Sequence, residues 1–403
     1  MSTENQNIVD QIVEKCAGSL SIFLGAGASK AVGLPDMNSF WQQAYGEDFV
    51  KGIGDVANYQ IANKQPLTQA QSEINKTSAI RRLIQTACLG TGKISSDLEI
   101  IYDYIHHNPI LSAGRGNIEN LKKLFYFYHN AAQGGNNWNF DQYKKQFNPF
   151  RQSFTTWIED MYECVENLRK EVNGAYLITR GDNRLEKAEH CYRFLPHLEQ
   201  PSVIFTTNYD TVFEALDESS KLNKMGLTLQ NGCKPQDKYH NYFAVENYTT
   251  NVGNPLYLFH LHGSVAWKYQ EQNVEDYYPH GHREKSAIVE PVISKKLPKI
   301  PPFNSMYEIF IKTLRQNSGL LVIGFSFRDE EIKKIVLETL ESNKSFFVVC
   351  VAPPNADSEM DRHIVELADK YTDRFIWLKN YFGEQETENL ILETIQERIG
   401  KTR

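Results

Sequence analysis

Ile8, Val9, Ile12, Val13 and Cys16 return at the three- and four-residue spacing of an amphipathic helix, and the apolar run SLSIFLG that follows is too short to be another helix. The pattern predicts a helix, a buried strand and a glycine-rich turn. Further strand-like runs come only after residue 200: SVIFTT, LYLFHL, SAIVEP, GLLVIGF, SFFVVCV and FIWL. Helical stretches separate several of them. In DEEIKKIVLETL, Ile332, Ile335, Val336 and Leu340 make one face, and Leu390, Ile391, Ile395 and Ile399 make another between 389 and 399. Strands alternating with such helices predict an α/β fold with a mostly parallel, Rossmann-like sheet.

Between 44 and 200 no run reads as a buried strand. Phe147, Phe150, Phe154, Trp157, Ile158, Met161, Tyr162, Val165 and Leu168 instead carry a helical period, with Pro149 near its start. Polar breaks at AAQGGNNWN and TRGDNR mark loops between helices. The expected organisation is a discontinuous core of residues 1–43 and 200–403, interrupted by a large helical insertion of residues 44–199. Open α/β sheets bind ligands beyond the carboxyl ends of their strands, so the chemistry is expected there.

Composition narrows the classes. At 403 residues the chain is long enough for a doubly wound core plus a second module. A net charge of −7 argues against a broad phosphate-binding face, so no direct nucleic-acid partner is expected. The longest apolar runs, Ser21–Ala26, Leu320–Phe327 and Phe346–Pro353, fall far short of the ~20 residues of a membrane span, and no membrane association is expected. The opening STENQNIVDQIVEK is no secretory signal, which points to the cytoplasm. Six scattered cysteines without a C-x-x-C pair read as reduced thiols, and no metal is expected.

Four motifs fall at predicted strand ends. The first is GAGAS, Gly25 to Ser29, running on to GLPD and Asp36; glycines there permit close approach, and successive N–H groups at a helix start attract a pyrophosphate. The alternative is glycine needed for packing alone. In TTNYD, Asn208 can orient a water or a sugar hydroxyl and Asp210 can cap the next helix; both could equally be turn residues. In HLHGS, a histidine can take a proton near neutral pH and Gly263 leaves room beside it. By strand alternation His260 and His262 share a face; one could be a core histidine, and His262 is nearer the strand end. In GFSFRDEE, Gly324 and Ser326 can meet a ribose or phosphate, while Asp329 to Glu331 read as first-turn acids complementing a helix dipole. His106 with His107, and His280 with His282, lack a third ligand and read as loop residues.

In this order, GAG-x-S with GLPD, T-x-N-x-D, HG and GFS, the motifs resemble the sirtuin family in its bacterial sirtuin-like branch. The resemblance covers the Rossmann core and not the insertion. It implies NAD as substrate, with Gly25, Ala26, Gly27, Ser29 and Asp36 around the pyrophosphate and nicotinamide ribose. It also implies Asp210 and Asn208 beside nicotinamide and its ribose, His262 as the catalytic histidine, and Gly324 and Ser326 toward the adenosine side. Met37 and Asn38 replace the Phe-Arg that follows this motif in protein deacylases, and the four zinc cysteines of those enzymes are missing. The implied activity is therefore hydrolysis of the nicotinamide–ribose bond to nicotinamide and ADP-ribose, with Asn208 holding a water and His262 taking a proton. Sirtuin-like proteins of this kind resemble anti-phage effectors that deplete NAD, in particular the subunit that works with a HerA-type ATPase, which implies a homo-oligomer and an ATPase partner. The alternatives are an NAD or ADP-ribose sensing module and an NAD-dependent deacylase.

Overall fold

The computed structural model describes residues 3–35, 170, 172–198, 202–236, 241–249, 251–270, 273–281, 286–289, 301–353 and 359–402. Asp36, His282 and the helical pattern of 147–168 lie outside them. In chain order the elements used below are α1 (Thr3–Lys15), β1 (Leu20–Leu24), α2 (Ala26–Ala31), α3 (Leu185–Tyr192), β2 (Ser202–Thr206), α4 (Val212–Glu218), α5 (Lys221–Lys224), β3 (Thr228–Gln230), β4 (Cys233–Pro235) and β5 (Asn241–Phe243). There follow β6 (Pro255–His260), β7 (Gly263–Gln270), β8 (Asn273–Asp276), β9 (Ser286–Ile288), α6 (Phe303–Gln316), β10 (Gly319–Ile323), α7 (Glu330–Ser342), β11 (Phe347–Val351), α8 (Glu359–Lys370), β12 (Phe375–Leu378) and α9 (Gln385–Thr402).

β1, β2, β6, β10 and β11 are buried at every position, as continuous apolar runs of a covered parallel sheet should be. They join a seven-stranded sheet in the order β12-β11-β10-β1-β2-β6-β3, and all its pairings are parallel. The chain is thus an α/β protein with the expected Rossmann-like sheet. The winding direction reverses beside β1: β2 and β6 extend one way, β10 to β12 the other. Such a reversal leaves a crevice at the carboxyl ends of the two strands that flank it.

The register decides where the motifs fall. Leu24 pairs with both Thr206 and Ile323, and Thr206 pairs with His260. Four adjacent strands therefore end level, and GAGAS, TTNYD, HLHGS and GFSF begin side by side. Below them Phe310 of α6 packs 5.6 Å from Phe23 and 4.8 Å from Phe205, which stacks on Phe259 at 5.3 Å. Val9, Ile12 and Val13 of α1 enter the same cluster, the face that the helical period marks. Burying one such aromatic is worth roughly 2 to 3 kcal/mol.

A second sheet, β4-β5-β8-β7-β9, is antiparallel. SAIVEP enters it as β9 rather than joining the parallel sheet. By contacts the chain divides into one unit of Met1–Asp36, Val172–Glu290 and Lys295–Arg403, and a second of Met37–Glu171 with Pro291–Ser294. The segment after Val172, given to the insertion by sequence, is grouped with the core. Among the described residues no helix is long and apolar enough to cross a membrane.

Candidate active site at four level strand ends

The turn after β1 and the turn after β10 are pressed backbone to backbone. A Cβ on Gly25 would lie 2.6 Å from the Gly324 carbonyl oxygen, one on Gly27 2.7 Å from Gly324 Cα, and one on Gly324 2.3 Å from the Ala28 nitrogen. Gly324 also has φ of +64°, in the left-handed region. Glycine is thus required at all three positions by packing. The amides are engaged as well: Gly25 N–H donates to Ile323, Gly27 N–H to Gly324 and Ala28 N–H to Gly25. A run of outward-facing N–H groups, the sequence-based expectation for GAGAS, is not how this loop is built; Ala26 is the exposed residue of the turn. Ser326 is half-buried.

The turn after β2 is tied to the turn after β1 by two side-chain bonds, Asn208 to Gly25 and Ser29 to Asp210. Asn208 Nδ2 donates to the Gly25 carbonyl at 2.9 Å, and Asn208 N–H donates to Thr206 Oγ1 at 3.0 Å. This fixes the carboxamide plane and leaves Oδ1 as the remaining acceptor of a half-buried amide. Ser29 Oγ donates to Asp210 Oδ2 at 2.5 Å. Asp210 Oδ1 accepts from Val212 N–H at 3.2 Å, so the carboxylate also touches the first residue of α4, although the N-cap position itself is Thr211. Burial raises the Asp210 carboxyl above its usual range, with the Ser29 hydrogen bond and the charge of His260 opposing the shift.

The two histidines diverge. β6 ends at His260, and the chain turns through Leu261 and His262 before β7, so strand alternation does not carry past residue 260. Both are buried, at 3% and 2% exposure, yet they face different helices. His260 Nε2 lies 3.0 Å from Glu214 Oε1 on α4, and its Nδ1 lies 3.4 Å from the Asn208 carbonyl oxygen. Burial depresses the His260 imidazolium, but the charge and hydrogen bond of Glu214 and the charge of Asp210 outweigh it and raise the pKa. His262 Nε2 instead lies 3.1 Å from Tyr307 Oη on α6 and 3.5 Å from Asp329 Oδ2 at the start of α7. The expected shared face is thereby corrected. So is the expected space beside Gly263: at φ of +80°, its Cβ would fall 2.0 Å from the Ala287 carbonyl oxygen of β9.

Sequence reasoning missed Glu214, Tyr307 and Asp329. Asp329 does cap α7, accepting from Glu331 and Ile332 N–H at 3.2 Å each, but its other oxygen faces His262. Among the described residues no group of three or more His, Cys, Asp or Glu side chains is placed to hold a metal ion.

An α/β sheet with a polar constellation at its switch point is the class that fold and site define. Within it, residues 202–373 match the family model of the SIR2-like domain, a span that includes TTNYD, HLHGS and GFSF. Among solved structures the chain is similar to a Sir2 homolog in complex with NAD, at 11% identity and a TM-score of 0.35, over 97% of this chain and 94% of that one. No curated protein matches the chain.

Proposed function

We propose that this protein is an NAD hydrolase whose active site is the row of level strand ends, with Asn208 and His262 as catalytic residues. The observation that carries the reading is the register of Leu24, Thr206, His260 and Ile323, which lines up four motifs that resemble those of sirtuins. The SIR2-like match over 202–373 supports it. NAD supplies a cationic leaving group, so departure of nicotinamide requires placement and charge stabilisation more than a strong acid. Asn208 Oδ1, on an amide clamped through Nδ2, orients the attacking water or a ribose hydroxyl, and His262 accepts the proton released. Ala26, Ser326 and the backbone of Gly25, Gly27 and Gly324 line the dinucleotide side, with Asp36 contributing from GLPD. Ser29 and Asp210 serve by locking two of the turns together.

The absence of the zinc cysteines favours hydrolysis over deacylation. The domain division at 44 and 200, a homo-oligomer, a HerA-type ATPase partner and a role in depleting cellular NAD during phage defence belong to the same proposal. Chromatography of NAD incubated with the protein, alone and with such an ATPase, tests it against Asn208→Ala. Equimolar nicotinamide and ADP-ribose formed only with Asn208 present is the expected result. NAD recovered unchanged under every condition, though bound, would support the sensing module instead.

A further inference from the structure

The turn that carries Asn208 and Asp210 is held from two sides. On one side are Gly25 and Ser29. On the other is a segment that belongs to none of the four motifs, residues 176–178. Thr211 stands at the N-cap of α4, yet its side chain makes no cap hydrogen bond. Its hydroxyl instead donates to the Ile178 carbonyl and accepts from Ile178 N–H, both at 2.8 Å, and its own N–H donates to the Tyr176 carbonyl at 3.3 Å. A threonine at a helix start ordinarily turns its oxygen to the first N–H groups of that helix, so a stabilising cap is given up here for the contact with residues 176–178.

Tyr176 carries the connection onward. Its hydroxyl donates to the Pro35 carbonyl at 2.9 Å, and Leu34 N–H donates to the Ser29 carbonyl at 3.0 Å. Ser29 in turn donates to Asp210, the neighbour of Thr211. The bonds close a circuit through Asp210, Ser29, Leu34, Pro35, Tyr176 and Thr211, every one of them buried and within the first unit. Both ends of the segment Met37–Glu171 are gripped by it, since Pro35 lies two residues before that segment and Tyr176 five after it. In a buried circuit no member moves without leaving a polar group unpaired or drawing its neighbours along.

We propose that Tyr176 and Thr211 are positioning residues for the turn that carries Asn208 and Asp210, and that through them both ends of the inserted segment are coupled to NAD binding at that turn. The inference rests on the NAD reading above and adds a route of regulation to it. Displacing either end opens the circuit and takes Asn208 and Asp210 out of register with Gly25 and Ser29. Such coupling is reciprocal: NAD bound at the turn tightens the circuit by the same factor by which the circuit tightens NAD.

Tyr176→Phe removes one hydroxyl and keeps the aromatic ring; Thr211→Val keeps the shape without the hydroxyl, and Thr211→Ser keeps the hydroxyl. Calorimetric Kd for NAD, kcat, KM and amide exchange at Ile178 and Thr211 are measured for each. Tyr176→Phe and Thr211→Val are expected to raise Kd and KM about tenfold, with Thr211→Ser within about threefold of the native protein. NAD is expected to slow exchange at both amides about tenfold in the native protein and little in Tyr176→Phe. Ser219→Ala, which removes a hydroxyl at the other end of α4, is expected to change none of these. Should Thr211→Val fail to fold, Tyr176→Phe carries the test alone. Lowered melting temperatures with native Kd, KM and NAD-dependent exchange would overturn the inference, since a merely structural circuit moves only the first. NAD that binds and slows exchange at Ile178 but is not cleaved would uphold the circuit and overturn the hydrolase. A native protein that binds no NAD would overturn both.

Discussion

His260 and His262 stand two residues apart at the end of one strand, both buried and both beside a carboxylate, and the structure gives them different partners. His260 is engaged on both ring nitrogens, by Glu214 and by the Asn208 carbonyl, and packs edge-on to Trp267 at 5.6 Å. It is a strut that holds the backbone of Asn208. His262, turned out of the strand toward α6 and α7, has Nε2 directed at Tyr307 and Asp329. The difference shows that two histidines two residues apart meet different helices once the strand ends between them, which a single strand period does not reveal.

The sharpest way to break the comparison is to remove each ring. His262→Ala is expected to cut NAD turnover about 1,000-fold, roughly 4 kcal/mol of barrier, while leaving the unfolding midpoint within a few degrees. His260→Ala is expected to do the opposite first: Glu214 is left buried without its cation, and denaturant unfolding should show a loss of about 3 kcal/mol. Equal loss of stability in both variants would erase the distinction.

Smaller effects come through pH. Burial, and then the charge of Glu214, raise Asp276 to about 6. A carboxyl raised on folding contributes stability that is present below its unfolded value and lost as pH rises through its folded one, here between about 4 and 6. Asp276→Asn, which keeps an acceptor for Tyr278 N–H, is therefore expected to be more stable than the native protein by about 2 kcal/mol at pH 8 and to match it near pH 3. His260, also raised, lends stability that is complete below its unfolded value and is lost as pH rises through the higher folded value. In Glu214→Gln the main raising cause is gone, so urea titrations from pH 6 to 9 should show a flatter profile than the native protein. A steeper one would mean that His260 is held neutral.

Much of the sheet was legible because β1, β2, β6, β10 and β11 are buried on both faces and so appear as unbroken apolar runs. The antiparallel sheet was legible only in SAIVEP, which enters it as β9; β4 and β5 span three residues each, and a period of two needs more positions to show itself. At the site, the motifs at strand ends were visible as glycine, amide and histidine clusters. Their partners were not: Glu214 looks like any acid on a short helix, Tyr307 like one more aromatic of α6, and Asp329 like a cap, which it also is. Gly25, Gly27 and Gly324 announced a tight turn, but only the register of β1 beside β10 shows that they face one another.

Calorimetric titration of NAD into His262→Ala protein, with chromatography of the recovered mixture, tests the central claim most directly. Saturable binding with no nicotinamide released is the expected outcome if, as proposed, the ring acts in the chemical step, because the strand ends remain. Release of nicotinamide by this variant, or no heat from either it or the native protein, would contradict the assignment of this site to NAD hydrolysis through His262.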